Sequence, residues 1–158
     1  MKGRALLVMA LALAGCAVGR DTLALRDVPL DASAVPVGLA PLAAQLQVDV
    51  PRAAEPLTDA RIALRDGGGA YAVMPGVRWR EAAPKLVQSL LVEAFERCAC
   101  VAAVARTGAA MHADYLLAGE LRELAVDDGT RDGAQGVARW SLSLVRARDG
   151  VVVASTIL

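Results

Sequence analysis

Helical periodicity is confined to one stretch of this sequence, residues 82–97. Beyond residue 45 the other apolar side chains recur with period two or in short runs bounded by turn residues. A chain of that kind builds a sheet with one covering helix, because each sheet face must be either polar or covered by another element. Within 82–97, Leu86, Leu90 and Ala94 make one row, and Val87, Leu91 and Phe95 make the row beside it. Lys85, Ser89, Glu93 and Glu96 line the opposite side, and Pro84 falls in the first turn, where its missing N–H costs little. Leu90 and Leu91 are expected to be buried between helix and sheet.

The strands follow from alternation and turn chemistry. Leu46-Gln47-Val48-Asp49-Val50 alternates apolar and polar, Pro51 to Pro56 reads as a connection, and Ile62 and Leu64 sit between Arg61 and Arg65. Asp66-Gly67-Gly68-Gly69 is a turn joining that strand to a return at 70–74, which Pro75-Gly76 ends. A short strand is expected at 101–105, a loop at 108–111, and a long strand at 115–126 in which Gly119 marks a bulge or kink. After a polar loop at Asp127-Asp128-Gly129 and Asp132-Gly133, Trp140, Leu142 and Leu144 face one way and Arg139, Ser141 and Ser143 the other. Asp149-Gly150 is a hairpin signal, and the returning strand runs into Ile157-Leu158. The expected fold class is α/β, a mixed β-sheet with a flanking helix. With a single helix the sheet is expected to stay partly uncovered, to be completed by a second helix or by a partner.

The first sixteen residues have a separate logic. Met1-Lys2-Gly3-Arg4 is a positive n-region, residues 5–13 are an unbroken apolar run, and Leu13-Ala14-Gly15-Cys16 looks like a bacterial lipobox. In proteins with that motif the cysteine thiol is acylated, with palmitate among the usual chains, and the signal is cut before it. Residues 1–15 therefore read as a lipoprotein signal peptide and Cys16 as the lipidated N-terminus. The following residue is Ala17 rather than an aspartate, and this directs the anchor to the outer membrane, on its periplasmic face. Residues 16–44, with Pro29, Pro36 and Pro41 among small residues, read as a tether. No apolar run reaches the length needed to span a bilayer as a helix.

Charge and chemistry exclude more than they propose. With Lys2 and Arg4 set aside, 15 basic residues face 17 acidic ones, a net charge of −2, and the arginines are scattered singly. Nucleic acid is therefore not an expected partner. His112 is the only histidine and no G-x-S-x-G element accompanies it, so it reads as a loop residue and no catalytic residue is assigned. Gly67-Gly68-Gly69 lacks the Lys-Ser/Thr pair of a phosphate loop. Glu120 and Glu123 would face opposite sides of a regular strand. Cys98 and Cys100 with a distant His112 are too few for a metal site, so neither metal nor cofactor is expected. On an extended segment the two cysteines lie about 7 Å apart, long for a bridge. They read as two small buried hydrophobes near a helix end or, alternatively, as a disulfide to another chain.

One ordered series of short motifs carries a resemblance. Val50-Pro51-Arg52-Ala53-Ala54-Glu55-Pro56-Leu57 runs toward Arg61-Ile62-Ala63-Leu64-Arg65. Then come Tyr71-Ala72-Val73-Met74-Pro75-Gly76-Val77-Arg78-Trp79, Ala83-Pro84-Lys85-Leu86-Val87-Gln88, Val101-Ala102-Ala103-Val104 and Ala113-Asp114-Tyr115-Leu116-Leu117. Together with the lipobox, the series over residues 45–158 resembles the ABC-type transport auxiliary lipoprotein family. The resemblance implies a fold similar to the TolB N-terminal domain, with a C-terminal helix that this sequence does not reach. It also implies a non-enzymatic auxiliary component of an ABC transporter with a mammalian-cell-entry (MCE) domain partner, moving lipids between inner and outer membranes. A regulator of a periplasmic cell-wall enzyme is the alternative. Expected partners are the MCE-domain protein and ABC transporter subunits, the membrane through the lipid anchor, and a second copy of the chain. Tyr71 and Trp79 read either as core aromatics or as partner contacts, where Trp is enriched.

Overall fold

The computed structural model describes residues 24–26, 40–66, 68–129 and 133–158. The expected signal peptide, Cys16, most of the expected tether, Gly67 of the first hairpin turn and Asp132 of the polar loop lie outside the described residues. In chain order the elements are β1 (Ala24–Arg26), β2 (Leu42–Val48), β3 (Arg52–Ala53), β4 (Arg61–Arg65), β5 (Tyr71–Trp79), α1 (Ala83–Cys98), β6 (Val101–Arg106), β7 (Tyr115–Asp127), β8 (Gln135–Arg146) and β9 (Val152–Ile157).

All nine strands join one mixed sheet organised on β7. Strand β8 pairs antiparallel along the whole of one β7 edge, from Tyr115 opposite Arg146 to Asp127 opposite Gln135. The other edge takes β2, β3 and β4 in succession, all parallel: Leu46 opposite Tyr115, Arg52 opposite Glu120, and Arg65 opposite Asp127. Residues 42–65 thus run alongside β7 as one interrupted strand. The interruptions fall at Pro51 and Pro56, where no N–H is available for a ladder. Strand β6 adds to β2 in parallel, β5 to β4 antiparallel, β1 to β5 in parallel, and β9 to β8 antiparallel.

Several boundaries differ from the sequence reading. Strand β2 starts at Leu42, and Ala24–Arg26, inside the expected tether, pairs with residues 77–79. Pro75-Gly76 does not end β5: Gly76 takes a φ of 74° that only glycine adopts readily, and the strand continues to Trp79. Gly119 is not the bulge. The irregularity lies between Leu121 and Glu123, and Gly119 marks a close approach instead. A Cβ there would stand 2.3 Å from the Ser141 carbonyl oxygen and 2.9 Å from Leu142 Cδ2.

The core has two parts. Leu46, Val48 and Leu117 form one, joined by Leu91, Val92, Phe95, Leu142 and Leu144. Leu57, Ala63, Ala83, Val87, Leu121 and Ala125 form the other, joined by Trp79, Leu91 and Trp140. The deepest helix residues are Ala83, Leu86, Val87 and Gln88, at the N-terminal half of α1. Leu90 and Leu91 are half-buried rather than buried, because the helix diverges from full cover toward its C-terminus. Leu91 touches both core parts and Leu90 neither. Gln88, sequence-polar yet buried, donates from Nε2 to the Val48 carbonyl at 2.8 Å and so ties the helix to the end of β2.

Cys98 and Cys100 are bridged to each other, neither two separate buried thiols nor a link to another chain. Ala99, between them, is in the left-handed conformation at φ 50° and ψ 31°, which ends the helix and brings the two Cα atoms to 5.1 Å. The extended geometry assumed from the sequence does not occur.

Packing sets two expectations. Leu121 is 1% exposed, so Leu121→Ala should cost about 2–5 kcal/mol, and Leu90→Ala clearly less. Gly119→Ala should cost about 1–3 kcal/mol, since the added methyl meets backbone that cannot yield. Urea denaturation of the three variants checks both, and equal losses at Leu90 and Leu121 would mean that α1 covers the sheet differently.

Candidate functional site

Because Trp140, Leu142 and Leu144 pack against the core under α1, the alternating Ser141 and Ser143 lie on the opposite face of β8. Among the described residues that face carries no helix. A cleft of ≈ 350 Å³ opens there, where the link between β2 and β3 crosses beside β7 and β8; it is lined by Asp49, Val50, Arg52, Ala118, Gly119, Glu120, Ser141 and Ser143. Gly119 forms part of its floor, and the lack of a side chain there keeps both strands close.

The charges of the cleft are partly committed. Asp49 Oδ1 accepts from Thr107 Oγ1 and from the Val50 N–H, both at 2.9 Å, and Glu120 pairs with Arg122 at 3.2 Å. Arg52 and the hydroxyls of Ser141 and Ser143 are the groups of its lining without a side-chain partner among the described residues. The cleft can therefore accept hydrogen-bonding or anionic groups at Arg52 and the serines. Its two carboxylates are engaged, Asp49 by Thr107 and Glu120, the cross-strand neighbour of Ser141, by Arg122.

A second polar cluster sits farther along β7. By register, Tyr71, Arg65, Asp127 and Gln135 form one row across β5, β4, β7 and β8. Arg65 donates to Glu123 Oε1 from Nη1 at 2.6 Å, to Asp127 Oδ2 from Nε at 3.1 Å, and to the same oxygen from Nη2. The Tyr71 hydroxyl donates to Glu123 Oε1 at 3.3 Å, and Arg139 stands 3.8 Å from Glu123 Oε2. Glu123 is only 4% exposed, a burial a carboxylate tolerates when it is paired and hydrogen-bonded. Arg65 holds the Asp127 carboxyl below its ordinary value, helped by the Gly129 N–H at 3.0 Å. Burial, then the Glu123 charge and hydrogen bond, push the Tyr71 hydroxyl up.

The sequence-singled residues scatter. Glu120 and Glu123 face opposite sides as expected: Glu120 is exposed in the cleft beside Ser141, whereas Glu123 is buried in the row of Leu121, Ala125 and Asp127, which runs unbroken through the irregularity. They make no acid–base pair, since one is solvated beside Arg122 and the other is held by Arg65. His112 is exposed in the 109–112 loop and belongs to neither cluster. Trp79 is half-buried against the core with its indole N–H buried and unpartnered among the described residues, while Tyr71 is 47% exposed at the β5 edge. Cys16 lies outside the described residues. The cleft was missed because its lining comes from three separate segments whose meeting depends on register, and no single motif records that.

Among the described residues no three His, Cys, Asp or Glu side chains are grouped to hold a metal ion. No described helix is long and apolar enough to cross a membrane.

A family model described as the ABC-type transport auxiliary lipoprotein component matches residues 28–157. A crystal structure of a Xanthomonas campestris protein of family DUF330 is similar, with 29% sequence identity and a TM-score of 0.68, over 78% of this chain and 72% of that one. A second crystal structure, of an uncharacterized protein, shares the fold at 17% identity and a TM-score of 0.57, over 77% of this chain and 76% of that one. No curated protein matches the chain.

The ion-pair cluster sets a pH expectation. A carboxyl whose folded-state pKa is depressed contributes stability fully present above its unfolded value, 3.8 for Asp127, and lost as pH falls through the lowered value. Asp127→Asn should therefore lower stability at neutral pH and flatten the loss of stability between about pH 5 and pH 1. Urea midpoints at stepped pH read this directly; a profile parallel to that of the parent would show that the Arg65 contact stabilises nothing.

Proposed function

Because the chain belongs to the family of ABC-type transport auxiliary lipoprotein components, we propose that it is a non-enzymatic accessory of an ABC transport system, held by lipid at Cys16 in the outer membrane. In this reading it works in the periplasm with an MCE-domain protein and the transporter subunits, in the movement of lipids between the two membranes. The match over residues 28–157 is the observation that carries the reading, and it covers nearly all of the folded domain. The lipobox supports the anchor. Two acyl chains at about 0.8 kcal/mol per buried methylene give durable attachment. The tether at 16–44, at no more than ~3.3–3.6 Å per residue, lets the domain work some tens of ångströms from the bilayer.

The site chemistry agrees with docking rather than turnover. Its carboxylates are engaged by arginines, a threonine and a tyrosine, including Glu120 opposite Ser141. Strand β9 offers the contact surface, either to a transporter subunit or to a second copy. Val152, Ile157 and Leu158 are more than half exposed, and apolar strand edges of this kind recruit other chains. Tyr71 at the β5 edge is a further contact in this proposal; Trp79 contributes through its core-packed ring.

The test is cross-linking in intact membranes combined with deletion of the gene. Capture of an MCE-domain or ABC-transporter subunit and an altered outer-membrane permeability are expected. Capture of a cell-wall synthase with unchanged permeability would replace the transport assignment by the regulatory one. Cys16→Ser should abolish palmitate labelling and the cross-link together, and labelling that persists would refute the anchor.

A further inference from the structure

Neither the auxiliary role nor the cleft accounts for Cys98 and Cys100. We propose that the pair is a thiol–disulfide exchange site, reversibly reduced by thiols, at the corner where α1 turns into β6.

Four features of that corner carry the inference. The bridge closes over a single intervening residue, and the stabilisation a disulfide gains from constraining the unfolded chain grows with loop length. Formation of this bond therefore adds little to the fold compared with a long-range staple. Ala99 is the one non-glycine residue with positive φ among the described residues, an unfavourable conformation for an L side chain and one that the closed ring holds in place. Both cysteines are half-buried and Ala99 is exposed, and neither cysteine belongs to either part of the core, so an attacking thiolate can reach the bond. Finally, the Cys100 N–H points at Cys98 Sγ from 3.2 Å, a donor placed to receive negative charge on that sulfur.

The last contact assigns the direction of attack. A donor thiolate bonds to Cys100 Sγ, the Cys98–Cys100 bond breaks, and its electron pair leaves on Cys98 Sγ, where the Cys100 N–H hydrogen-bonds it. A second donor thiolate then attacks the donor sulfur of the mixed disulfide and releases Cys100 as thiolate. The two protons of the donor thiols end on the cysteines, the donors leave as their disulfide, and the protein is reduced by two electrons. Reduction frees Ala99 from the left-handed region. The change is passed to the sheet at once, because the Cys100 carbonyl accepts from the Leu42 N–H at 2.8 Å at the start of β2.

The experiment equilibrates the whole chain with glutathione buffers of stepped reduced-to-oxidised ratio, quenches with acid, alkylates, and reads each cysteine by peptide mass mapping, which separates Cys16 from the pair. Structural disulfides resist the glutathione pool, whereas exposed or strained ones equilibrate with it. The expected result is complete, reversible conversion between bridged and doubly alkylated forms, with circular dichroism showing the fold retained. In Cys100→Ser, which keeps the residue-100 N–H, Cys98 should take up glutathione from its oxidised form several-fold faster than Cys100 does in Cys98→Ser, because its thiolate is the hydrogen-bonded one. A bridge that survives excess reduced glutathione is a fixed staple, and two thiols that stay free in oxidised glutathione form no bridge. Either outcome on the unsubstituted chain overturns the proposal, even if a variant fails to fold. Equal uptake by the two variants would overturn the direction of attack.

Discussion

The architecture depends on the length of β7. A thirteen-residue strand presents about a dozen backbone donors and acceptors along each edge, and leaving them unpaired away from water is costly. One edge is satisfied by β8 alone, in continuous antiparallel register. The other has no single partner of that length, so the chain supplies three short strands in tandem, interrupted by prolines. Once β2 and β4 are fixed along that edge, the positions of β6, β5 and β1 follow from their own pairings. Asp114, at the start of β7, adds a local lock: its side chain accepts from the Gln45 N–H at 2.8 Å and its carbonyl from the Ala147 N–H at 2.9 Å, joining the β2 and β8 sides.

A strand of that length is longer than one helix can cover evenly. The N-terminal half of α1 supplies the deepest contacts, through Ala83, Leu86, Val87 and Gln88, and its later turns lie over the sheet with their leucines half-open. At the far end of β7 the cohesion is polar. Arg65 reaches two carboxylates four residues apart on the same strand, and Tyr71 approaches one of them from beyond β4 and Arg139 from β8. Such a cluster stabilises only while every member is present, because removing one leaves a buried charge unpaired. The cluster therefore pins the register of β4 against β7 more strictly than apolar contacts would.

Much of this was legible in the sequence, and the residues show why some was not. The alternation of Trp140, Leu142 and Leu144 with Ser141 and Ser143 gave the two faces of β8, since period-two patterning is set by burial of one face. The helix was readable for the same reason at period 3.6. Reading failed where geometry depends on one backbone torsion. Gly76 carries β5 through a Pro-Gly pair that ordinarily stops a strand, and Ala99 in a left-handed turn brings together two cysteines that extended chain would separate. At the β7 irregularity alternation held: Leu121, Glu123, Ala125 and Asp127 stay buried while Glu120 and Arg122 are exposed, and only the extra residue itself was unreadable. Gln88 was hidden because a polar residue on a helix reads as solvated until the carbonyl it serves is known.

The distribution of committed and uncommitted polar groups bears on what the domain does. Glu123 and Asp127 are oriented by Arg65, Asp49 by Thr107, and Gln88 by the Val48 carbonyl, so the buried and half-buried polar side chains serve strand placement. A carboxylate fixed by a guanidinium is stabilised in its charged form and makes a weak proton acceptor, the reverse of what a general base requires. The groups left over, Arg52 and the two serine hydroxyls, lie in an open cleft on the face that α1 does not cover. Exposed apolar residues adjoin them: Ile157 on β9 lies directly opposite Ser141, and Val50 lines the cleft itself. Polar and apolar groups side by side on one open sheet face suit contact with a partner surface, which combines both, better than enclosure of one small substrate.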